Sequence, residues 1–381
     1  MTLLIKNITL IDPVKGELTS SIFIEDGSIV EVAPNINREA HTILDFSNEQ
    51  VKAVPGFIDI HIHGSAGYDV MDATPEALKG IAQSLPKEGT TSFLATTMTQ
   101  SVDAISRALE NVASYKRNDK EAEIIGVHLE GPFVSKKRAG AQPMEFIIEP
   151  SIELFEQWQT LSANSIKVIT IAPEVIGALQ FIQEKSSELI VSLGHTDAAY
   201  DEMACAVRAG ARHITHLYNQ MSPIHHRDIS AIGAALLEDQ LMTELIVDTI
   251  HSHEKAVELA FRMKGADKII LITDAMRAKQ MQAGNYELGG QAVIVSQKDA
   301  RLTDGTLAGS ILTMEQAVKN MRTITSCSDM ELVKMSSYNA AQQLHLKKGR
   351  LQSGFDADIT IVNNQWDVLY TFCKGQLAYK K

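Results

Sequence analysis

Eight short apolar segments, most of them separated by helical stretches, follow one another through the middle of this 381-residue chain. Their content of Val, Ile, Leu, Thr and Phe predicts strands that are buried on both faces, as in a parallel sheet. The segments lie at 54–62, 90–97, 124–130, 166–171, 189–194, 213–216, 245–248 and 268–274, and the helical stretches include 74–87, 101–115, 198–209 and 254–263. Eight β–α repeats predict an α/β fold in the form of a closed (β/α)8 TIM-like barrel.

A doubly wound open sheet is the alternative arrangement for alternating strands and helices. Such a sheet rarely has eight parallel strands and no dinucleotide-binding fingerprint. The sequence has no G-x-G-x-x-G motif after its first barrel strand and no phosphate-binding P-loop. The pattern therefore favours the barrel.

Both ends of the chain carry strand patterns without helical stretches between them. Strand-like segments lie at 3–11, 21–25 and 28–33 before the barrel, and at 358–362, 368–372 and 376–379 after it. Asp26-Gly27 separates two of them, and this pair is typical of a hairpin turn. We expect the two ends to form one small composite β-sandwich domain, residues 1–52 plus 345–381, beside a barrel domain of residues 53–344.

The overall charge limits the class of partner. A formal net charge of −12 and a pI near 5.5 argue against nucleic acid or an anionic membrane, although a small phosphorylated substrate needs only a local basic pocket. No apolar stretch approaches the roughly 20 residues of a membrane span, and the apolar run at the N-terminus is too short for a signal peptide. Cys205, Cys327 and Cys373 are widely spaced, so we expect reduced thiols in a soluble, cytoplasmic protein.

Two histidines close the first barrel strand. His61 and His63 are two residues apart, and because side chains alternate along a strand, both point to the same side. Two neutral imidazoles from one strand end are suited to form half of a transition-metal site. Taken alone, the pair could equally serve as hydrogen-bonding groups at the strand terminus.

Other residues of metal-ligand type lie at the ends of further strands. They are Glu130 after the third strand, His195 after the fifth, His216 after the sixth and Asp274 after the eighth. The carboxyl ends of all barrel strands open onto one face, so these side chains are expected to converge with the histidine pair. Four imidazoles and two carboxylates favour one or two ions such as Zn²⁺ or Fe²⁺ over Mg²⁺, which prefers oxygen ligands.

Each of these residues also has an ordinary structural explanation. Glu130 could form a salt bridge, the histidines could satisfy loop or interior hydrogen bonds, and Asp274 could cap the following helix. Such explanations would have to hold together at five strand ends on one face, so a shared metal site is the simpler interpretation. Two further histidines of these strands are interpreted either as structural or as residues that support the ligands from behind: His128 and His213.

Six motifs surround these residues and continue beyond them. They read PGFIDIHIHG at 55–64, HLEGPF at 128–133, GHT at 194–196, THLYNQM at 215–221, TDA at 273–275 and LAGS at 307–310. In this order they resemble the amidohydrolase superfamily and, within it, the family of N-acetylglucosamine-6-phosphate deacetylases. The resemblance extends over essentially the whole chain.

The resemblance implies a metal-dependent hydrolase that converts N-acetyl-D-glucosamine 6-phosphate to D-glucosamine 6-phosphate and acetate. Asp274 would be the general base and then the general acid. One divalent ion, Zn²⁺ or Fe²⁺, would be held by Glu130, His195 and His216, and a second by His61 and His63 with Glu130 bridging. Some family members lack the histidine pair and use one ion. The chemistry agrees, because a bound divalent ion polarises an amide carbonyl and activates water near neutral pH.

The resemblance also implies a set of substrate contacts and a homodimer. The contacts are Asn219 and Gln220 for the phosphate, His251 for the sugar, Gln142 and Leu307 in the same pocket, and Arg227 lent across the dimer interface to the phosphate. The chain departs from the family at Gln142, where many relatives have a histidine, and after Arg227, where Asp228-Ile229-Ser230 replaces the usual Glu-Pro-Gly. His253 is an alternative to His251, and the basic loop at 225–227 could simply be solvated.

Two other functions stay open from the sequence. One is an amidohydrolase acting on another N-acetylated compound, such as N-acetylgalactosamine 6-phosphate. The other is a non-catalytic barrel, which would be expected to have lost its metal ligands. All six candidate ligands are present, and this favours the enzyme.

Overall fold

The N-terminal segment of the chain is a run of five strands. The computed structural model, which describes residues 2–381, gives them as β1 (Thr2–Asp12), β2 (Gly16–Glu25), β3 (Ser28–Ala33), β4 (Thr42–Asp45) and β5 (Val51–Pro55). β1, β2 and β3 form an antiparallel meander. The turn between β2 and β3 has left-handed backbone at both Asp26 (φ +47°) and Gly27 (φ +81°), as a two-residue hairpin requires.

Eight parallel strands form the barrel in the middle of the chain. They are β6 (Phe57–Ile62) and, after a small hairpin of β7 (Gly64–Ser65) and β8 (Tyr68–Asp69), β9 (Thr90–Thr97), β10 (Glu123–Glu130), β11 (Ile166–Ile171), β12 (Ile190–Leu193), β13 (His213–Ile214), β14 (Met242–Ile246) and β15 (Ile269–Ile272). Each barrel strand is hydrogen-bonded to the next in chain order. β15 returns to β6 through a bridge between Ile62 and Ala275, where Asp274 N donates to His61 O at 2.8 Å. The predicted barrel is confirmed.

The segment predicted as one strand at 54–62 is divided in the structure. Val51–Pro55 belongs to the sheet of the chain ends, and the barrel strand begins at Phe57. Gly56 lies between them, where a Cβ would come within 2.3 Å of the Thr91 side chain. A continuous apolar run hides this division because the strands on both sides of Gly56 are buried.

Ten α-helices accompany the strands within residues 2–381. They are α1 (Pro75–Ser84), α2 (Val102–Ser114), α3 (Ile152–Leu161), α4 (Ala178–Lys185), α5 (Tyr200–Ala209), α6 (Ser230–Leu237), α7 (Glu254–Lys264), α8 (Met314–Thr325), α9 (Asp329–Val333) and α10 (Asn339–Gln343). Side-chain oxygens of Thr74, Ser101 and Thr313 accept backbone N–H groups at the starts of α1, α2 and α8. A π-helical turn, Lys334–Tyr338, joins α9 to α10.

A three-stranded antiparallel sheet lies at the carboxyl end of the barrel. It consists of β16 (Gly284–Leu288), β17 (Gln291–Val295) and β18 (Ala300–Leu302). Its apolar side chains cluster with Met98 and Met276, which follow β9 and β15. This sheet therefore covers part of the face onto which the barrel strands open.

The C-terminal strands return to the N-terminal ones. β19 (Ile359–Asn363), β20 (Val368–Cys373) and β21 (Gln376–Lys380) extend one sheet in the order β21-β20-β19-β5-β1-β2-β3, with β4 paired to β1. This sheet has an apolar core of its own, which includes Ile5, Ile22, Ile359 and Phe372. The prediction that both chain ends build one β domain is confirmed, whereas its boundaries at 52/53 and 344/345 stay a prediction.

Two further predictions concern membrane-spanning helices and the cysteines. Within residues 2–381, no helix is both long and apolar enough to cross a membrane. All three cysteines are free thiols, as expected from their spacing.

Lys348 joins the barrel to the sheet of the chain ends. Its Nζ lies 2.7 Å from Glu123 Oε2 and 2.9 Å from Asp356 Oδ2, and it also donates to Asp358. Burial alone would lower the pKa of Lys348, but the carboxylates, Asp358 foremost, raise it above its usual value. Burial would raise the pKa of Glu123, but Lys348 lowers it to about 2.

Replacing this lysine by a neutral side chain tests the junction. We expect Lys348→Met to lower the free energy of unfolding by about 3 kcal/mol at pH 7, because the carboxylates of Asp356 and Asp358 then lose the lysine they share and Glu123 keeps only Lys374. The pKa of Glu123 is depressed in the folded chain, so its contribution is complete above the ordinary value of 4.5 and is lost as the pH falls toward 2.

Urea unfolding followed by circular dichroism at several pH values measures the effect. Lys79→Met, at an exposed lysine of α1, is the matched control and should unfold like the wild type. The gap between wild type and Lys348→Met should close below pH 4.5. A gap of the same size at pH 7 and pH 3 would contradict the assignment.

Candidate metal centre and active site

The six side chains predicted at the strand ends meet at the mouth of the barrel. β6 supplies the two histidines, and the residues at or just after the ends of β10, β12, β13 and β15 supply the others: His61, His63, Glu130, His195, His216 and Asp274. All six residues are buried. The prediction of their convergence is supported by the following distances.

One group of ligand atoms surrounds an oxygen of Glu130. Glu130 Oε1 lies 3.2 Å from His195 Nε2 and 3.0 Å from His216 Nε2. The two ring nitrogens are 3.1 Å apart. Two imidazoles and a carboxylate thus present three ligand atoms to one point, as a transition-metal ion requires.

A second group shares the same carboxylate. Glu130 Oε1 lies 3.4 Å from His61 Nε2, and Glu130 Oε2 lies 3.3 Å from His63 Nε2. Asp274 Oδ1 faces these rings at 3.6 Å from His61 Nε2 and 3.3 Å from His63 Nε2. Glu130 is therefore placed to bridge two subsites, with Asp274 beside one of them.

The hydrogen bonds on the far sides of the rings fit metal binding. His195 Nδ1 donates to Arg138 O at 2.8 Å, and His63 Nδ1 donates to Thr96 O at 3.3 Å, since a carbonyl can only accept. In a neutral ring this leaves Nε2 with a lone pair, and in both cases Nε2 faces Glu130. His61 Nε2 is buried and has no hydrogen-bond partner within residues 2–381. A divalent ion would satisfy these atoms, so the residues present fit one.

The electrostatics of the cluster favour a bound cation. Burial alone would raise the pKa values of Glu130 and Asp274, but the neighbouring rings, His61 foremost, hold both pKa values below their usual range. Burial opposes a charge on His63, yet Asp274 and Glu130 raise its pKa to about 10. Ionised carboxylates in a buried site need positive charge nearby, and a divalent ion supplies it where protons otherwise would.

Three of the six residues have unusual backbone. His195 (φ +46°), His216 (φ +27°) and Asp274 (φ +47°) all lie in the left-handed region, which costs a non-glycine residue of order 1–3 kcal/mol. Such residues cluster at functional sites because the surrounding structure holds side chains in place at that cost. Each of them lies two residues past the end of a barrel strand, where the chain turns its side chain into the mouth.

Gln142 touches the metal-ligand cluster directly. Its Nε2 donates to Glu130 Oε2 at 2.7 Å, and its Oε1 accepts from Thr99 N at 2.8 Å. Both ends of the amide are thus engaged with the protein. The side chain also lines the cavity, so its predicted contact with substrate stays a prediction.

A cavity of about 380 Å³ opens above the cluster. Its lining includes most of the predicted metal and substrate residues: His63, Glu130, Gln142, His195, His216, Asn219, Gln220, His251, Asp274 and Leu307. A second cavity, about 410 Å³ in volume, lies against the sheet of the chain ends and lacks a histidine in its lining, which is entirely within residues 2–381. We place the site at the barrel mouth because the ligand atoms converge there.

Arg227 is absent from the cavity lining, all of which lies in the described chain. Its side chain is exposed and its Nη1 lies 2.7 Å from His226 Nε2 in the same loop. The predicted contact of Arg227 with the substrate stays a prediction.

His251 is oriented toward the cavity by an acidic partner. Its Nδ1 lies 2.6 Å from Asp248 Oδ2. Burial would lower the pKa of His251, but Asp248 raises it. His253 instead accepts from Lys255 N at 3.1 Å at the start of α7, which favours His251 as the residue of the cavity.

Two charged residues at the site were missed from the sequence. Arg301 of β18 lines the cavity, and Glu244 of β14 lies beneath the cluster, 2.9 Å from His61 Nδ1. β18 is a short strand with no apolar pattern of its own, and Glu244 immediately precedes the stretch 245–248 that was predicted as a strand. A single charged residue in the middle of β14 was the available signal for Glu244.

Comparisons with known proteins agree with this geometry. The model of the amidohydrolase family matches residues 53–378. The chain is 51% identical over 380 residues to an N-acetylglucosamine-6-phosphate deacetylase of Lysinibacillus sphaericus, covering 99% of this chain and 98% of that protein. It is 46% identical to the enzyme of the same name from Bacillus subtilis (strain 168), covering 99% and 97%.

The fold is also similar to solved structures of N-acetylglucosamine-6-phosphate deacetylases. The N-acetylglucosamine-6-phosphate deacetylase of Thermotoga maritima superimposes with a TM-score of 0.88 at 34% identity, covering 99% of this chain and 100% of that one. A mutant of the Mycobacterium smegmatis enzyme, solved in complex with N-acetyl-D-glucosamine-6-phosphate, superimposes with a TM-score of 0.91 at 27% identity, covering 100% and 99%.

Removing the shared carboxylate tests the metal centre. We expect the purified protein to contain a divalent transition metal and Glu130→Ala to lose it, because both groups of ligands share Glu130. His41→Ala is the matched control, since this exposed histidine contacts Thr2 instead. Metal per subunit is measured by inductively coupled plasma mass spectrometry after gel filtration. An equal metal content per subunit in the wild type and Glu130→Ala would contradict the assignment of Glu130 as a metal ligand.

Proposed function

The chain belongs to the amidohydrolase family, and from that premise we propose that it is the enzyme that hydrolyses N-acetyl-D-glucosamine 6-phosphate to D-glucosamine 6-phosphate and acetate. The observation that carries the proposal is the arrangement at the barrel mouth, where Glu130 and four histidines lie beside the carboxylate of Asp274 at the base of a cavity. The deacetylases to which the chain is 51% and 46% identical along almost its full length support this substrate.

A divalent ion is the cofactor that this set of residues fits. Glu130, His195 and His216 would hold one ion, and His61 and His63 with Glu130 would hold a second. When bound, such an ion supplies polarisation of the acetamide carbonyl and activation of water near neutral pH. The mixture of imidazole and carboxylate ligands suits Zn²⁺ or Fe²⁺.

Asp274 provides the proton transfers. Its pKa is held below the usual range, so the carboxylate is ionised and can accept a proton from the attacking water. The same group then donates this proton to the sugar nitrogen as the C–N bond breaks, which leaves a neutral amine and acetic acid, and the acid ionises to acetate by releasing the second proton of the water. Its backbone is fixed for this task, because Asp274 N donates to His61 O and Asp274 O accepts from Ser310 N at 2.7 Å.

Recognition of the sugar phosphate falls to the walls of the cavity. His251 offers a hydrogen-bonding ring held by Asp248, and Asn219, Gln220 and Leu307 line the same space. Arg301 brings a cation into the cavity from the same subunit, although Asp299 lies 2.6 Å from its Nε. We assign the phosphate to Asn219 and Gln220 with Arg301 nearby in the lining, because an anion needs amide or basic donors.

We further propose a homodimer in which Arg227 completes the phosphate site of its partner. The arginine is exposed and lies outside the cavity of its own chain, so it is free to serve a second subunit. His225 and His226 lie beside Arg227 in the same loop.

Deacetylation of N-acetyl-D-galactosamine 6-phosphate is the alternative activity. A deacetylase of that substrate from Escherichia coli O157:H7 is 36% identical over 328 residues, covering 85% of this chain and 87% of that protein. The higher identity to the glucosamine enzymes favours the gluco sugar.

Acetate release from the two sugar phosphates and from unphosphorylated N-acetylglucosamine tests the function. We expect the gluco phosphate to give the highest kcat/KM. Asp274→Asn should retain metal but lose about 10²–10⁴-fold in kcat, which is the contribution of a positioned general acid–base. Full activity in Asp274→Asn would exclude this residue as the base, and a preference for the galacto phosphate would select the alternative.

Co-expression of two variants, each impaired at a different residue, tests the shared arginine. Arg227→Ala should raise KM for the phosphorylated sugar more than for the unphosphorylated one. Hybrids of Arg227→Ala and Asp274→Asn subunits should regain part of the activity, because one of their two sites has both residues intact. If hybrids are no more active than the separate variants, Arg227 does not act across an interface.

A further inference from the structure

Glu244 lies directly beneath the metal-ligand cluster in the floor of the barrel. Its side chain is fully buried. Glu244 Oε2 lies 2.9 Å from His61 Nδ1 and accepts from His216 N at 3.1 Å, and Glu244 Oε1 lies 3.2 Å from His213 Nε2. A buried carboxylate with these partners has a defined orientation.

The contact between Glu244 and His61 Nδ1 determines which nitrogen of His61 carries the proton. Glu244 Oε2 already accepts the backbone N–H of His216, and Glu244 Oε1 faces His213 Nε2, so the carboxylate is placed as a hydrogen-bond acceptor. His61 Nδ1 therefore donates to Glu244. In the neutral ring, the lone pair then lies on Nε2, the buried atom that lacks a hydrogen-bond partner in the described chain and faces Glu130 and Asp274.

The other three histidines of the cluster are held differently. His63 and His195 donate from Nδ1 to the backbone carbonyls of Thr96 and Arg138. His216 Nδ1 is buried and has no hydrogen-bond partner among residues 2–381. A carboxylate behind a ligating imidazole fixes its tautomer and makes it a stronger ligand than a carbonyl does. His61 is thus set apart from the other ligands.

The group formed by His61, Glu244 and His128 is not a separate metal site. His128 Nδ1 lies 3.2 Å from Ile60 O, and its Nε2 lies 2.7 Å from Thr170 Oγ1. Both ring nitrogens are thus engaged in hydrogen bonds within the barrel. Glu244 therefore acts through His61 and His216.

We propose that Glu244 is a positioning residue that makes His61 a strong ligand and thereby controls binding of the ion at His61, His63 and Glu130. The proposal rests on the metal centre proposed above. The same carboxylate also accepts the backbone N–H of His216, which has left-handed backbone and belongs to the other ligand group. Glu244 consequently contacts both ligand groups from below. Its charge acts on the ring of His61, whereas its contact with His216 is a hydrogen bond to the backbone.

Two substitutions separate the charge of Glu244 from its hydrogen bonds. Glu244→Gln keeps the shape and an acceptor for His61 Nδ1 but removes the charge, and Glu244→Leu removes both. Thr243→Val is the matched control, because Thr243 is a buried neighbour on β14 whose hydroxyl has no hydrogen-bond partner in the part of the chain that the structure describes.

Titration of the metal-free proteins with Co²⁺ measures the effect. Bound Co²⁺ per subunit is determined by elemental analysis and its coordination by the visible d–d absorption. We expect two ions in the wild type and in Thr243→Val. In Glu244→Gln, the ion at His61, His63 and Glu130 should bind about 10–100-fold more weakly, while the affinity of the ion at Glu130, His195 and His216 is unchanged. Glu244→Leu should retain only the ion at Glu130, His195 and His216. Retention of that ion also shows that the barrel is folded.

Three results would overturn the proposal. They are an unchanged affinity for the ion at His61, His63 and Glu130 in Glu244→Gln, loss of both ions in that variant, and a wild type that binds a single ion. None of them bears on whether the wild type releases acetate from N-acetylglucosamine 6-phosphate, so failure of the positioning role and failure of the proposed activity are distinguishable.

Discussion

The carboxylate of Glu130 at the end of β10 is the group on which the rest of the site depends. One of its oxygens lies within 3.2 Å of both His195 and His216, and the other faces His63. A carboxylate this deeply buried is costly unless cations or hydrogen-bond donors surround it. The histidines, the amide of Gln142 and the expected ion all serve that one requirement.

The barrel makes this concentration of charge compatible with a stable fold. Its parallel strands pair through the backbone alone, so residues at their carboxyl ends are free to project into the mouth. Gln142 holds Glu130 from the side of the cavity, and Glu244 holds His61 from the floor. The sheet of the chain ends lies against the barrel through Lys348 and its carboxylates, apart from the chemistry.

Much of this could be predicted from residue pattern and family resemblance. The barrel strands at 90–97 and 166–171 agree with β9 and β11 to the residue, because continuous apolar runs end at clear turns. The division at Gly56 was missed, since both sides of it are apolar. Arg301 was missed because a short strand folded over the barrel mouth brings it to the cavity, and no local pattern encodes that.

The sequence by itself determined the fold class, the family and the residue types at five strand ends, because hydrophobic periodicity and short motifs are local properties of the chain. Only the tertiary structure decided which atoms meet. It showed that Gln142 binds Glu130, that Arg227 lies outside the cavity of its own chain, and that Glu244 supports His61. These relations join residues as far as 183 positions apart, and their geometry depends on how the barrel closes, which no local pattern records.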